Sequence, residues 1–363
     1  MTMIMSEKCK QHVDSCRFCW MCHHICPIGN ATGQERNTAR ARALGISLVN
    51  REAIDLSEIV DNVYECATCG ACVHDCTTGW DPVMFTKETR LQAALDGKLP
   101  TYIMKLVENC LTCGNAYGKT EVPAEVLEAA KTHSGKTDTL LYLGVDAVYM
   151  APDQAVKAIR VLEKAGVEFT VLTNEPASGA QLDFLIGAAN ETKAQMSACG
   201  EAFNAFKTVV VYDPADAKVL KQTCGEYGVE TTAKVVTYTS FVAELVQNEK
   251  LSLERGEKTV VFQDPYQLAR DLGETEPARE IIMNCAVLGE MLLNQEETVW
   301  AGNILMAQYM PEVMKKVAAR RIFNAKTIGV NTIVTASVSE YVSLKSVAEN
   351  VEILSLEDLI LGE

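Results

Sequence analysis

From residue 139 onward, short apolar runs alternate with stretches whose apolar residues recur at helical spacing. Residues 139–143 (TLLYL), 170–172, 208–212 (TVVVY) and 235–238 are apolar and of strand length. Between the first two, Pro152 opens a segment that puts Ala155, Ile159 and Leu162 on one face, and Gly166 closes it. This alternation predicts α/β architecture with a mostly parallel sheet. The pattern then returns at offsets of about 120 residues, the signature of an internal repeat. Residues 139–150 parallel 259–270, and 176–187 parallel 299–310. Residues 206–221 parallel 325–345, and each half closes on a strand, a serine and a short helix (235–245 and 351–360).

The first third reads differently. Residues 38–44 are rich in Ala, Arg and Leu, and 56–64 offer Ile59, Val60 and Val63 at helical spacing. Residues 91–99 and 102–107 read as further short helices, split by Gly97 and Pro100. Residues 115–138 read as a linker. The expected fold is α+β and multidomain: a helical unit over 1–120, then duplicated α/β lobes over 138–250 and 258–363.

Cysteine spacing changes the picture most. Cys16, Cys19, Cys22 and Cys26, followed by Pro27, have the spacing C-x2-C-x2-C-x3-C, and Cys66, Cys69, Cys72 and Cys76 repeat it. That spacing suits a [4Fe–4S] cubane held by thiolates. Three cysteines of a run wrap one cluster, and the fourth comes from elsewhere. In two-cluster ferredoxins the last cysteine of each run serves the other cluster. The expected sets are therefore Cys16, Cys19, Cys22 with Cys76, and Cys66, Cys69, Cys72 with Cys26. Two zinc sites are the competing reading, but zinc ribbons use paired C-x2-C knuckles with no third cysteine two residues on. The runs start 50 residues apart, too far for a compact hairpin ferredoxin, so a helical cluster domain is expected.

Composition narrows the class. With 48% hydrophobic residues the chain can bury ordinary cores. The formal charge is −15; residues 1–60 carry a net of +1, which leaves −16 for the rest. An acidic surface argues against nucleic acid as a partner. The fourteen cysteines fit ligand thiolates in a reducing compartment better than a disulfide scaffold. The N-terminal MTMIMSEKCK shows no leader pattern, and no stretch of eighteen apolar residues exists, so a cytoplasmic protein without a membrane span is expected. Any membrane association would come through a partner.

Other candidates are weaker. His24 and His74 occupy matching places in the two x3 gaps; they either donate to cluster sulfur or stand solvated, and the second is the plainer reading. Arg36, Arg40 and Arg42 either offset cluster charge or lie on a solvated helix face. Cys110 and Cys113 form a lone C-x2-C, read as buried thiols rather than a third centre with Cys9 or a redox disulfide. Cys199, Cys224 and Cys285 read as small core residues. Asp213 and Asp216 read as a solvated turn, DPAD, rather than a cation site. No G-x-G-x-x-G follows a strand, and neither a Walker loop nor a G-x-S-x-G elbow is present.

CRFCWMCHHICP, CATCGACVHDC, NAYG, FQDPYQLAR and the second-lobe WAG together resemble a family of iron–sulfur subunits. These are the subunits of glycolate oxidase, lactate-utilisation and anaerobic glycerol-3-phosphate dehydrogenase type, together with heterodisulfide reductase catalytic subunits. The resemblance implies a helical two-cluster ferredoxin domain joined to two cysteine-rich CCG domains. It also implies the departures. Val145 stands for the first cysteine of lobe one, Ala177-Ser178-Gly179 for Cys-Cys-Gly, and Asp213-Pro214-Ala215-Asp216 for Cys-Pro-x-Cys. In lobe two, Tyr266, Trp300-Ala301-Gly302, Ser337 and Glu340 take the corresponding places. Two [4Fe–4S] clusters and no lobe cluster are thus expected. The implied role is an electron-transfer subunit, itself without a catalytic residue, beside an FAD-containing dehydrogenase chain, with a quinone, a ferredoxin or an electron-transfer flavoprotein as acceptor. The alternative is a heterodisulfide-reductase-like catalytic reductase.

Overall fold

A computed structural model describes residues 6–363; residues 1–5, the start of the segment read as lacking a leader, lie outside the described residues. The chain is mixed helix and strand, with a helical N-terminal part and two parallel sheets.

The first sheet holds β1 (Thr139–Tyr142), β2 (Thr208–Val211) and β3 (Lys234–Thr237) in the order β1-β2-β3. The second holds β4 (Thr259–Gln263), β5 (Val287–Gly289), β6 (Thr332–Thr335) and β7 (Glu352–Ser355) in the order β5-β4-β6-β7. Leu140 and Val261 sit in equivalent ladders: Leu140 faces Val209, and Val261 faces Ile333. The strand expected over 170–172 contracts to one parallel bridge, Leu140 to Thr170, with Leu141 N–H donating to Thr170 O at 2.9 Å. That bridge stands beside β1 as β5 stands beside β4, so the two sheets share one layout. The strands are apolar throughout because helices cover both faces; Leu140, Leu141, Val209, Val210, Val260 and Val261 are all fully buried.

The lobes are not independent. Helices Pro152–Lys164 and Tyr238–Gln247 of the first pack against Glu276–Cys285 and Leu356–Leu361 of the second. Val161, Leu162, Val242, Ile281, Ile282 and Leu356 form one continuous core between the sheets. Lys164 Nζ donates to Ile360 O at 2.8 Å across the same seam. The outer faces keep separate cores, around Met196, Phe203 and Leu220 in one lobe and Ile322, Tyr341 and Leu344 in the other.

Residues 115–138 are not a plain linker. Asn115 is fully buried and closes a turn by donating to Lys119 O (2.7 Å) and Cys113 O (3.0 Å). A helix, Ala124–Thr132, then buries Val126 and Ala130 against the helix Pro152–Lys164. Its two buried side chains are too few to register as a period in a segment rich in Lys, Glu and Thr.

In the N-terminal third the helices run longer than their sequence signals: Ala39–Asn50, Pro82–Leu95 and Thr101–Cys113. Asp81 caps the second of these by accepting from Met84 N–H at 3.0 Å, with Pro82 at its first position. Two short helices from the lobes complete this unit. Leu182, Leu185 and Ile186 of Ala180–Ile186 and Leu305 of Ile304–Ala307 enter its core beside Phe85, Ala93 and Ile103.

Each of those short helices begins just after one of the two positions that replace Cys-Cys-Gly, and both glycines remain. Gly179 has φ +88°, and a Cβ there would lie 2.7 Å from Met196 Cγ. Gly302 has φ +124°, and its Cβ would lie 2.7 Å from the Cβ of Ser343. The turn needs glycine for backbone reasons alone.

Candidate metal centre

The two cysteine runs adopt one backbone shape. Phe18 and Trp20 have φ of 56° and 70°, and Thr68 and Gly70, at the same places in the second run, have 50° and 72°. Left-handed residues alternating with ordinary ones curl each loop and turn its N–H groups toward the sulfurs, as anion-binding nests do. Phe18 N–H lies 3.4 Å from Cys16 Sγ, and Thr68 N–H lies 3.3 Å from Cys66 Sγ. Gly29 N–H adds a donor to Cys26 Sγ at 3.4 Å.

Folding brings the runs together. Cys22 lies within electrostatic reach of Cys16, Cys19 and Cys76. Cys26 lies within reach of Cys66, and Cys69 within reach of both. Cys72 feels Cys66, Cys69 and Cys26, and more weakly Cys22. Cys26, the last cysteine of the first run, therefore stands beside the first three of the second, and Cys76 stands in reach of Cys22 of the first. Among the described residues no three His, Cys, Asp or Glu side chains converge tightly enough to hold one metal ion. A zinc ion would draw its sulfurs to about 2.3 Å from one point. Four thiols gather in each group, the number that a [4Fe–4S] cubane takes.

The two thiol sets differ in setting. Cys19 is exposed, flanked by Phe18 (61% exposed) and Trp20 (44%), with the Arg40 guanidinium 4.0 Å from the Trp20 ring centre. Cys69 is buried among Ile28, Ala67, Trp300 and Met306, at the seam with lobe two. Burial pushes the Cys69 thiol up to about 11, with Arg270 opposing, and holds Cys72 well above the ordinary range. Burial also raises Cys22 and Cys26. Cys76 is the exception: against the cost of burial, the Thr78 hydroxyl and the N–H groups of Thr78, Trp80 and Gly79 hold it low. Neutral thiols are favoured at the buried positions unless iron displaces the protons.

The cations divide. Arg42 is buried and donates to Asn62 O (3.0 Å) and Asn37 O (3.2 Å), and its charge favours the Cys26 thiolate. Arg36 pairs with Glu65 at the surface, and Arg40 with Glu35 at 3.1 Å. Of the three, only Arg42 has lost its solvent. His24 and His74 are exposed, the latter 3.3 Å from Glu297. Two cations that spacing does not mark matter more. Arg270 of lobe two donates to Cys69 O through Nε (3.1 Å) and Nη2 (2.8 Å). Arg90 is fully buried and donates to Cys66 O (2.7 Å), Val63 O (3.1 Å) and Phe184 O (2.7 Å). Neither lies near a cysteine in sequence, so no local signal could have marked them.

Cys9 is hydrogen-bonded to Glu88, and Cys113, expected as a buried thiol, is half-buried at the end of its helix. Cys110 is buried, with its thiol raised to about 12 by burial and by Asp146. Cys199, Cys224 and Cys285 are all buried.

The positions that replace lobe cysteines come together in each lobe. In lobe two, Glu340 Oε1 accepts from Ala301 N–H and Gln263 Nε2, both at 3.1 Å, and Arg321 donates to Gln263 Oε1. Glu340 is buried, which lifts its carboxyl to about 8. In the unfolded chain it would ionise near about 4.3. The folded state thus holds the extra proton between those values, and stability falls as pH rises through them. Glu340→Gln should flatten this slope: its melting temperature should change less between about pH 6 and pH 8.5 than that of the parent, followed by circular dichroism. Equal slopes would mean that Glu340 is not the titrating group.

In lobe one the expected solvated turn is buried instead: Asp213 and Asp216 are 2% and 4% exposed. Asp213 caps the helix Pro214–Lys218, and Ser178 donates to Asp216. A DPAD turn is polar by composition; Gly144 and Ser178 of lobe one pack against it, and the Val338 N–H of lobe two faces Asp213.

No helix among the described residues is long and apolar enough to cross a membrane. Residues 12–80 match the family of 4Fe-4S dicluster domains. A probable membrane-anchored ferredoxin of Chromohalobacter salexigens is 25% identical over 269 residues, 70% of this chain and 39% of that protein, so the chain spans well under half of that relative. One of the subunits of the dihydromethanophenazine:CoB–CoM heterodisulfide reductase of Methanosarcina acetivorans is 26% identical over 309 residues, 74% of this chain and 72% of that one. Its counterpart in Methanosarcina mazei is 24% identical over 307 residues, again 74% of this chain and 72% of that one. The chain therefore carries a 4Fe-4S dicluster domain at residues 12–80 and is homologous to these heterodisulfide reductase chains and to a membrane-anchored ferredoxin.

Proposed function

We propose that this chain is the electron-relay subunit of a flavoprotein oxidoreductase complex, with domains over 1–120, 138–250 and 258–363. Cys16, Cys19, Cys22 and Cys76 would hold one [4Fe–4S] cluster, and Cys66, Cys69, Cys72 and Cys26 the other. When bound, such clusters take up and release single electrons. The observation that carries the reading is the crossed grouping of the eight thiols, one set at the surface and the other at the seam with the lobes. The surface set offers Phe18, Cys19 and Trp20 to a partner, and exposed Arg17 adds positive charge there. The buried set is shielded from water by Trp300 and Met306.

The partner by resemblance is an FAD-containing dehydrogenase chain, and the acceptor a quinone, a ferredoxin or an electron-transfer flavoprotein. Val145, Ala177, Tyr266 and Trp300 supply no thiolate, so the lobes serve docking and assembly. Any membrane contact would pass through the partner.

Anaerobically prepared protein should contain about eight irons per chain, as two cubanes require. Reduction should give two one-electron steps and two EPR signals. The isolated chain should not turn over substrate. Iron-free protein, or steady turnover by the isolated chain with a chemical reductant, would refute the reading. The second outcome would favour a catalytic reductase, for which one observation speaks: a cavity lies beside the buried thiol set.

A further inference from the structure

That cavity, of about 370 Å³, lies where the loop of Thr68 and Gly70 meets both lobes. Its size suits a small organic molecule. Electron relay alone makes no use of it. One wall carries Asp146, Asp213 and Asp216. Asp146 is satisfied by Tyr117 Oη (2.7 Å), Gln181 Nε2 (2.8 Å) and Ser339 Oγ (3.0 Å), and Asp216 by Ser178. Asp213 is not. Its Oδ1 accepts from Ala215 N–H at 2.8 Å, but its buried Oδ2 has no hydrogen-bond partner among the described residues. Glu175 stands just behind, held by Leu143 and Gly144 N–H. Among the described residues no Lys, Arg or His forms an ion pair with any of these four carboxyls.

Lys218 and Arg270 line the same cavity, where Asp271 lies within electrostatic reach of both and Asp183 within reach of Lys218. Among the described residues Lys218 makes no ion pair, and Arg270 donates only to the carbonyls of Cys69, Glu296 and Thr298. Lys87 is already paired with Asp183 at 2.7 Å. Val145, Phe184 and Leu305 lie among these groups. We propose that the cavity binds a small zwitterion, its ammonium group on Asp213 and its carboxylate, or a comparable anion, on Lys218 and Arg270. A metal ion is the poorer occupant, since among the described residues no three of the acidic groups converge on one point.

The clustered acids relieve their mutual repulsion by keeping protons. Burial, then the neighbouring Asp146, lifts Asp213 to about 7; burial and Asp213 also raise Asp216 well above the ordinary carboxylate range. An arriving ammonium group favours the carboxylate and drives a proton into solution.

The test is calorimetric titration of the anaerobically purified full chain at about pH 6.5, below the Asp213 value. The probes are β-alanine, γ-aminobutyrate and 5-aminovalerate, the matched amines without the acid, the matched acids without the amine, and Mg²⁺ or Ca²⁺ alone. At least one amino acid of the series should bind, and its matched amine and acid should bind at least about tenfold more weakly. Titrations in buffers of different ionisation enthalpy should show proton release. Asp213→Asn keeps the helix cap, and should weaken binding about tenfold or more and abolish the proton release. Lys218→Met should weaken the amino acids but not the amines. Circular dichroism and iron content on the same samples verify folding and separate this test from the relay reading. No binding by any amino acid at about 10 mM, binding indifferent to Asp213→Asn, or binding of the divalent cation alone would overturn the proposal.

Discussion

Replacing Cys76 by alanine should remove or convert the cluster of the N-terminal run, though Cys76 ends the second run. Iron should fall from about eight per chain toward about four if the cluster is lost, or toward about seven if it is converted to a three-iron remnant. The EPR signal lost should be the one lost in Cys16→Ala, and Cys26→Ala should share its lost signal with Cys72→Ala. The reason is the grouping of the thiols: Cys22 sits in reach of Cys16, Cys19 and Cys76, and Cys72 in reach of Cys66, Cys69 and Cys26. Asymmetry should sharpen the contrast. The N-terminal set includes the exposed Cys19, whereas Cys69 is buried, so the first cluster should be lost sooner to oxygen or chelator. If Cys76→Ala and Cys72→Ala lose the same signal, each run holds its own cluster and the crossed assignment is wrong.

Arg90→Met should loosen the whole junction between the cluster unit and lobe one. Arg90 is fully buried, donates to three carbonyls from residues 63, 66 and 184, and lies over the rings of Tyr64 (5.0 Å) and Phe184 (4.4 Å). Methionine fills similar space but leaves those carbonyls without donors. The loss should be on the order of 3 kcal/mol or more. Arg90 also has no carboxylate partner among the described residues, so its charge is answered only by dipoles, ring faces and whatever negative charge gathers at the Cys66 set. Removing it should therefore lower the reduction potential of the buried cluster, since a nearby cation favours the added electron. Arg90→Lys should not restore stability, because an ammonium cannot span three acceptors as the planar fork does. A melting temperature within about a degree of the parent in both variants, with unchanged potentials, would show that Arg90 is not the clamp.

Much of the architecture is legible in one dimension because it rests on local periodicity. The runs TVVV and TIVT must be covered on both faces, and the return of the pattern after about 120 residues forces a second sheet of the same layout. The thiols are legible because a ligand loop is local: three cysteines at C-x2-C-x2-C can reach one cluster without help from distant chain. The helix Ala124–Thr132 leaves no such mark, for the opposite reason. Its stability comes from two residues, Val126 and Ala130, that acquire a partner only when Pro152–Lys164 folds over them.

The same division separates the two halves of the site. Sequence alone determined that eight sulfurs stand in two equivalent loops and that the lobes lack cysteines where the resembling proteins have them. Tertiary structure decided everything that depends on who is left without water. It buried Asp213 and Asp216, which composition marks as solvated, and set them on one cavity with Lys218 and Arg270. It brought Arg90 and Arg270 onto the carbonyls of Cys66 and Cys69 from 24 and 201 residues away. Spacing encodes what one loop can reach, but desolvation and long-range pairing are properties of surfaces that exist only after the chain has folded.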